Sequence, residues 1–240
     1  MAGWFLCNML SDRLLKRVLS FKLDPSSLPK DIHVLDPFNG GHGRQVERIV
    51  TTFHERFYSD EDPRLLMLGI NPGRLGAGST GLPFTDTKRC ESHLKISVEG
   101  MRTHEPSSDF FYRMIDGAGG VEAFYSKVYV HALCPLGFVK ERSGKGAVNL
   151  NYYDDRQLEE AVTPFMERWL KDLVATGMRT DGVICLGTGK NAAAFRKLNE
   201  RMKLFDRIHP IEHPRFIIQY KQKKLDEYIA KYVDLLNDLV

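Results

Sequence analysis

The sequence predicts an α/β fold built on a mainly parallel sheet, and three observations predict it. Short unbroken apolar runs at 65–70, 127–136 and 182–187 read as strands buried on both faces. Stretches with apolar residues at helical spacing separate them. The first run stops abruptly at Asn71-Pro72-Gly73, at the carboxyl end of a strand, where open α/β sheets place their ligands. The 240 residues fit one domain, 1–240, with a helical segment over about 1–60 packed on it.

In chain order, residues 9–22 carry Leu10, Leu14, Leu15, Val18 and Phe21 at helical spacing, and Asp24-Pro25 breaks the pattern. Residues 35–41 read as a loop, with Phe38 and Asn39 as candidates for a pocket mouth. A helix over 44–58 presents Val46, Ile49, Val50, Phe53 and Phe57 on one face. Between 87 and 102 the pattern is hard to read, and the one expected element is a short strand near 94–98. Ser107-Ser108-Asp109 is expected to cap a helix that Gly117 to Gly120 ends, and a short helix follows over 121–125. Residues 149–154 read as a helix-leading cap and turn before a helix over 157–175. A helix over 192–201 and a fourth strand over 204–211 come next, then one long amphipathic helix to about Leu239.

Composition narrows the class. At 42% hydrophobic and 27% charged residues, with no apolar run near bilayer length, the chain reads as a soluble cytoplasmic protein. Met1 to Leu10 lacks the basic start of a signal peptide. Cys7, Cys90, Cys134 and Cys185 form no C-x-x-C pair, which suits a reducing compartment and argues against structural zinc. Net charge is +3, but between Lys190 and Lys231 eleven Lys or Arg face five Asp or Glu. A basic C-terminal third suits a phosphate-tracking surface.

Two glycine-containing motifs need sorting. Gly76-Ala77-Gly78-Ser79-Thr80-Gly81 fits the dinucleotide pattern G-x-G-x-x-G, yet it starts well beyond Ile70, and Pro83-Phe84 stands where an apolar helix should begin. Thr188-Gly189-Lys190-Asn191 is not a P-loop, because Ile184 replaces the first Gly and Asn191 the Ser or Thr. A helix N-terminus carrying Lys190 still offers a phosphate site.

The stretch Gly69-Ile70-Asn71-Pro72-Gly73, followed by Thr80-Gly81-Leu82-Pro83-Phe84, resembles motif 1 of the uracil-DNA glycosylase superfamily. Within it the match is to the single-strand-selective monofunctional (SMUG) branch, and GINPGRLGAGSTGLPFTD looks closer still to a bacterial SMUG-like group. His131-Ala132-Leu133-Cys134-Pro135-Leu136 resembles the branch's H-N-L-C-P-L, with one departure. Family members use that Asn to bond the edge of the extruded uracil, and Ala132 has neither donor nor acceptor. Asn149 and Asn151 are candidates to replace it. His213 to Tyr220 matches the bacterial group's second motif, H-P-R-F-[IV]-x-Q-Y, so the second catalytic role is assigned to His213 rather than His209.

The resemblance implies a three-layer αβα sandwich around a four-stranded, mainly parallel sheet, with both motifs facing one cleft. It implies a substrate pocket of Gly69, Ile70, Pro72, Gly73, Phe84 and Ala132. Phe84 stacks on the flipped base, Asn71 orients the water that attacks C1′, and His213 stabilises the departing base. Arg215, Gln219, Tyr220 and Lys221, with Lys190, are the expected DNA contacts. The cysteine spacing weighs against the superfamily's iron–sulfur branches, and no cofactor or metal is expected. No Lys nucleophile is evident, so hydrolysis without strand cleavage is expected. Two other readings stand beside this one. One is a non-catalytic DNA-binding protein on the same fold, which does not depend on Asn71. The other is a Rossmann-type nucleotide-binding enzyme that uses the Gly-rich loop.

Overall fold

The computed structural model describes residues 9–142 and 146–240, and Cys7 lies outside the described residues. Strands and helices alternate, as the apolar runs require. The chain opens with α1 (Leu10–Val18), β1 (Ile32–Leu35) and α2 (Gly43–Phe57). β2 (Leu65–Gly69) leads through the single turn α3 (Ala77–Thr80) to α4 (Thr87–Ser92), α5 (Pro106–Gly117) and α6 (Gly120–Tyr125). β3 (Val128–Ala132), β4 (Gly137–Arg142) and β5 (Gly146–Leu150) precede α7 (Arg156–Val174), β6 (Val183–Leu186) and α8 (Lys190–Met202). β7 (Ile208–Ile211), α9 (Pro214–Tyr220), a 3-10 turn and α10 (Leu225–Leu239) close the chain.

The main sheet runs β3-β2-β6-β7, and every pairing is parallel. Its three central and edge strands β2, β3 and β6 are buried at every position, as a sheet covered on both faces must be. Gly69 pairs with Ala132 and Leu68 with His131, so Gly69 and Ala132 share one face and His131 lies on the other. On the His131 face, α2 brings His54 to the Tyr129 hydroxyl at 3.1 Å, and α7 brings Trp169 to 4.5 Å from the His131 ring. On the opposite face α5, α9 and α10 pack together, with Phe110 edge-on to Tyr232. This is the expected three-layer sandwich.

Several local expectations are corrected. No strand forms over 94–98. Leu94 and Ile96 are buried, but Lys95 takes φ 56°. The carbonyls of Leu94 and Ser97 accept Arg56 and Arg48 of α2 at 2.6 Å each, so side chains replace a ladder partner. Ahead of it, the polar α4 is started by Asp86, whose carboxylate accepts the Arg89 N–H. Glu105, not Ser107, Ser108 or Asp109, caps α5, with Pro106 at the first helical position. The fourth strand is only Ile208–Ile211, because the Asn199 amide holds Leu204 and Phe205 in a turn.

The C-terminal helix is two helices. The turn after Lys221 lets α10 fold back along α5, burying Tyr232 and Leu236. The sequence reading also missed a second sheet, antiparallel β1-β4-β5. Asn149 therefore sits on a strand, and Asp155 rather than either Asn caps α7. This small sheet presses on the motif-1 loop. A Cβ on Gly137 would lie 2.3 Å from Pro72 O, so only glycine lets β4 begin there.

Candidate active site

The carboxyl ends of β2 and β3, the β5 end and the start of α9 enclose a cleft of about 540 Å³. Gly69, Ile70, Asn71, Pro72, Gly73, Phe84, Ala132, Asn149, Asn151 and His213 all line it. Arg215, Gln219 and Tyr220 line its α9 rim. Lys221 and Lys190 do not. Lys221 holds its ammonium 5.7 Å from the Phe216 ring centre, and Lys190 is exposed at the start of α8.

Asn71 is held from both ends of its amide. Oδ1 accepts the Tyr152 N–H at 3.0 Å, and Nδ2 donates to Leu150 O at 3.0 Å. Turning the amide over would set donor against donor and acceptor against acceptor, so its orientation is fixed. One Oδ1 lone pair stays available on a half-buried side chain.

Phe84 carries φ 53°, a conformation that L residues rarely take. The loop around it is over-determined. Thr80 donates to Thr85 O, Thr85 meets the Tyr112 hydroxyl, and buried Asp86 accepts from Glu105 N and Ser108 Oγ. The Phe84 ring is backed by Phe111 in a stack at 4.7 Å. Gly69 lets that ring lie close, since a Cβ there would crowd it at 3.3 Å.

His213 is the N-cap of α9, and its Nδ1 accepts the Arg215 N–H at 3.1 Å. That contact leaves the proton of a neutral ring on Nε2. The side chain keeps partial exposure through the open cleft, with protein packed around the rest. Burial, then the nearby Arg215 charge, lowers its pKa to about 4. His213 is therefore a neutral donor near pH 7. Its ring lies 5.5 Å from Phe84. His209 lies on β7, paired with Ile184, and does not line the cleft.

Ala132 leaves a bare wall beside Gly69, and its carbonyl is taken by Trp169 Nε1 at 3.2 Å. Among the described residues Asn149 Oδ1 has only a long 3.4 Å contact from Arg74 N, so its amide is largely uncommitted. Asn151 bonds Asp154 through its main chain, which leaves its side chain at the cleft. Of the mouth candidates, Phe38 lines the cleft and Asn39 does not. Glu105, His131 and the exposed Leu75 and Phe216 also line it and were missed. Their places in the sequence, Leu75 within the Gly-rich loop and Phe216 within the second motif, are the signal that points to the last two.

Two further histidines tie the site to acid stability. Burial lowers His54 to about 4 and His131 to about 3. Both stay neutral in the folded chain while the unfolded chain protonates them near 6.5. Their contribution is complete above pH 6.5 and is lost as pH falls from there toward 4. Each costs about 1 kcal/mol per pH unit within that window. Urea denaturation at pH 7 and pH 5 should show a clear loss of stability at pH 5. Equal midpoints would contradict the burial of neutral histidines.

The fold and this cleft define a base-excising hydrolase, and the comparisons agree. Residues 56–237 match the model of the uracil DNA glycosylase superfamily, and the chain belongs to that superfamily. It is thus a DNA glycosylase, a hydrolase of N-glycosyl bonds. The solved structure of wild-type SMUG2 from Pedobacter heparinus is 41% identical, with a TM-score of 0.92 over 96% of this chain and 98% of that one. None of the curated proteins is significantly similar. The Gly-rich decoy folds as α3 and its Gly81 cap, which turns the chain back toward Phe84. Among the described residues no group of His, Cys, Asp or Glu could hold a metal ion, and no helix is long and apolar enough to cross a membrane.

Proposed function

We propose that the chain is a monofunctional glycosylase of base excision repair, acting as a single-domain monomer on nucleoid DNA in the cytoplasm. Its substrate is a deaminated or damaged base, of the uracil, 5-hydroxymethyluracil or xanthine type, flipped out of the helix. The observation that carries this reading is the convergence of clamped Asn71, stacked Phe84 and neutral His213 on one cleft. Phe84 offers a flat face to the base. Asn71 Oδ1 holds a water for attack on C1′, as a positioner rather than a strong base. The C1′–N bond breaks with its electron pair going to the base, and the water oxygen bonds C1′. The water's proton passes through solvent to the departing base.

His213 Nε2–H donates to O2 as negative charge gathers there. A neutral histidine suits that task, because its hydrogen bond to O2 strengthens as negative charge gathers on the departing base. Arg215 makes no ion pair among the described residues and stands at the rim, where it is placed to hold phosphate. Gln219, Tyr220, Lys221 and Lys190 extend that surface.

Ala132 sets the substrate range. A pocket that pairs with the base edge rejects wrong bases strongly, and a bare wall does not. Matched oligonucleotides that differ only in the lesion test the reading. Xanthine or 5-hydroxymethyluracil should be released within about tenfold of uracil, and Ala132→Asn should move preference toward uracil. Strict uracil specificity in the natural protein would hand the reading role to Asn149 or Asn151. No base release from any lesion would end the proposal.

A further inference from the structure

Asn191 and the hydroxyl of Tyr152 have no part in the chemistry above, yet both are buried, at 2% and 3% exposure for their residues. The Tyr152 hydroxyl donates to Asn191 Oδ1 at 3.2 Å. Burial raises the Tyr152 pKa, which keeps the phenol protonated as a donor. Asn191 Nδ2 in turn donates to Leu186 O at 3.0 Å, at the end of β6. The peptide N–H of the same Tyr152 is the donor to Asn71 Oδ1. β6 is the strand paired with β2, the strand that delivers Asn71. A closed ring of contacts therefore runs from β6 through Asn191, Tyr152 and Asn71 back to β2.

The ring gives a task to a turn that resembles a phosphate loop without being one. Asn191 stands where such a loop has Ser or Thr, but its amide points inward and no phosphate contact is left to it. Residues 151–153 lie beyond the last β5 pairing, at Leu150. No ladder holds them, and the Tyr152 hydroxyl supplies the missing anchor.

We infer that Tyr152 and Asn191 are positioning residues, which fix the 151–152 peptide and through it the rotamer of the Asn71 amide. The inference rests on the reading of Asn71 as the holder of the attacking water. Displacements on the order of 1 Å cost up to about a hundredfold in rate, so a loosened peptide is felt in the chemical step.

Tyr152→Phe tests this, because it keeps the ring and its packing on Tyr153 and removes only the hydroxyl. Single-turnover base release should fall about tenfold, with affinity for lesion DNA within about twofold of wild type. The side-chain amide resonances of Asn71 should shift in 15N spectra of the same variant. In an Asn71→Ala background the hydroxyl should no longer matter to the residual rate. A wild-type rate for Tyr152→Phe, with unshifted resonances, would overturn the inference. So would an equal loss in both backgrounds, which marks general destabilisation. Rapid release by Asn71→Ala alone would instead remove Asn71 from the chemistry, while the resonance shift would still report the brace.

Discussion

Asn71→Ala is expected to lower single-turnover base release by about 10³-fold or more, with lesion-DNA affinity within a few fold of wild type. The amide acts on water at C1′ in the transition state, so its loss falls on the rate rather than on binding. The substitution also takes the Asn71 acceptor from the Tyr152 N–H and the Asn71 donor from the Leu150 carbonyl. That costs about 1–3 kcal/mol of stability. Rates are therefore compared well below the variant's own melting transition, where a stability loss alone leaves the chain folded. Near-wild-type release under those conditions would remove Asn71 from the mechanism.

The second large effect belongs to His213. His213→Ala should cost on the order of 10²-fold in rate, the range for losing a donor to a developing anion. His209→Ala should cost far less, since His209 sits on β7 outside the cleft. Because His213 also caps α9, part of the alanine effect is structural, about 1 kcal/mol. His213→Asn separates the two roles. Its side-chain oxygen restores a cap to the Arg215 N–H, while its shorter amide does not reach the place of Nε2–H. The Asn variant should melt close to wild type and still be slow. A reversed order of the two histidines would shift the second motif by one His-Pro pair.

Much of this was legible because burial leaves a mark on residue type. A strand covered on both faces has to be apolar throughout, and the β2, β3 and β6 runs show it. Turns that need unusual backbone show their glycines and prolines, which is why Asn71-Pro72-Gly73 and Pro83-Phe84 stood out. Residues 94–98 show the limit of such reasoning. The alternating burial is real, but alternation reports which side chains are inside and not whether a neighbouring strand is there to accept the backbone. Arginines from α2 take that place, and nothing local announces them.

The clamp on Asn71 was illegible for a different reason. It is made by a carbonyl and a peptide N–H, which every non-proline residue has, so the β5 end carries no signature of its role. The sheet that delivers it consists of strands of four to six residues, too short for a period to emerge. The N-terminal turn of α8 shows the same limit, since Asn191 points inward to Leu186 O and nothing in its neighbours announces that direction. The protonation state of His213 is likewise a product of packing and of one cap contact, not of its His-Pro neighbours.

The most direct test of the account is product analysis on one uracil-containing oligonucleotide incubated with the purified protein. The account predicts free uracil in solution and an intact strand that breaks only after alkali, because hydrolysis by a positioned water leaves an abasic site and nothing more. A strand cut at the lesion without alkali, or a covalent adduct trapped by borohydride, would show an amine nucleophile and contradict the role given to Asn71.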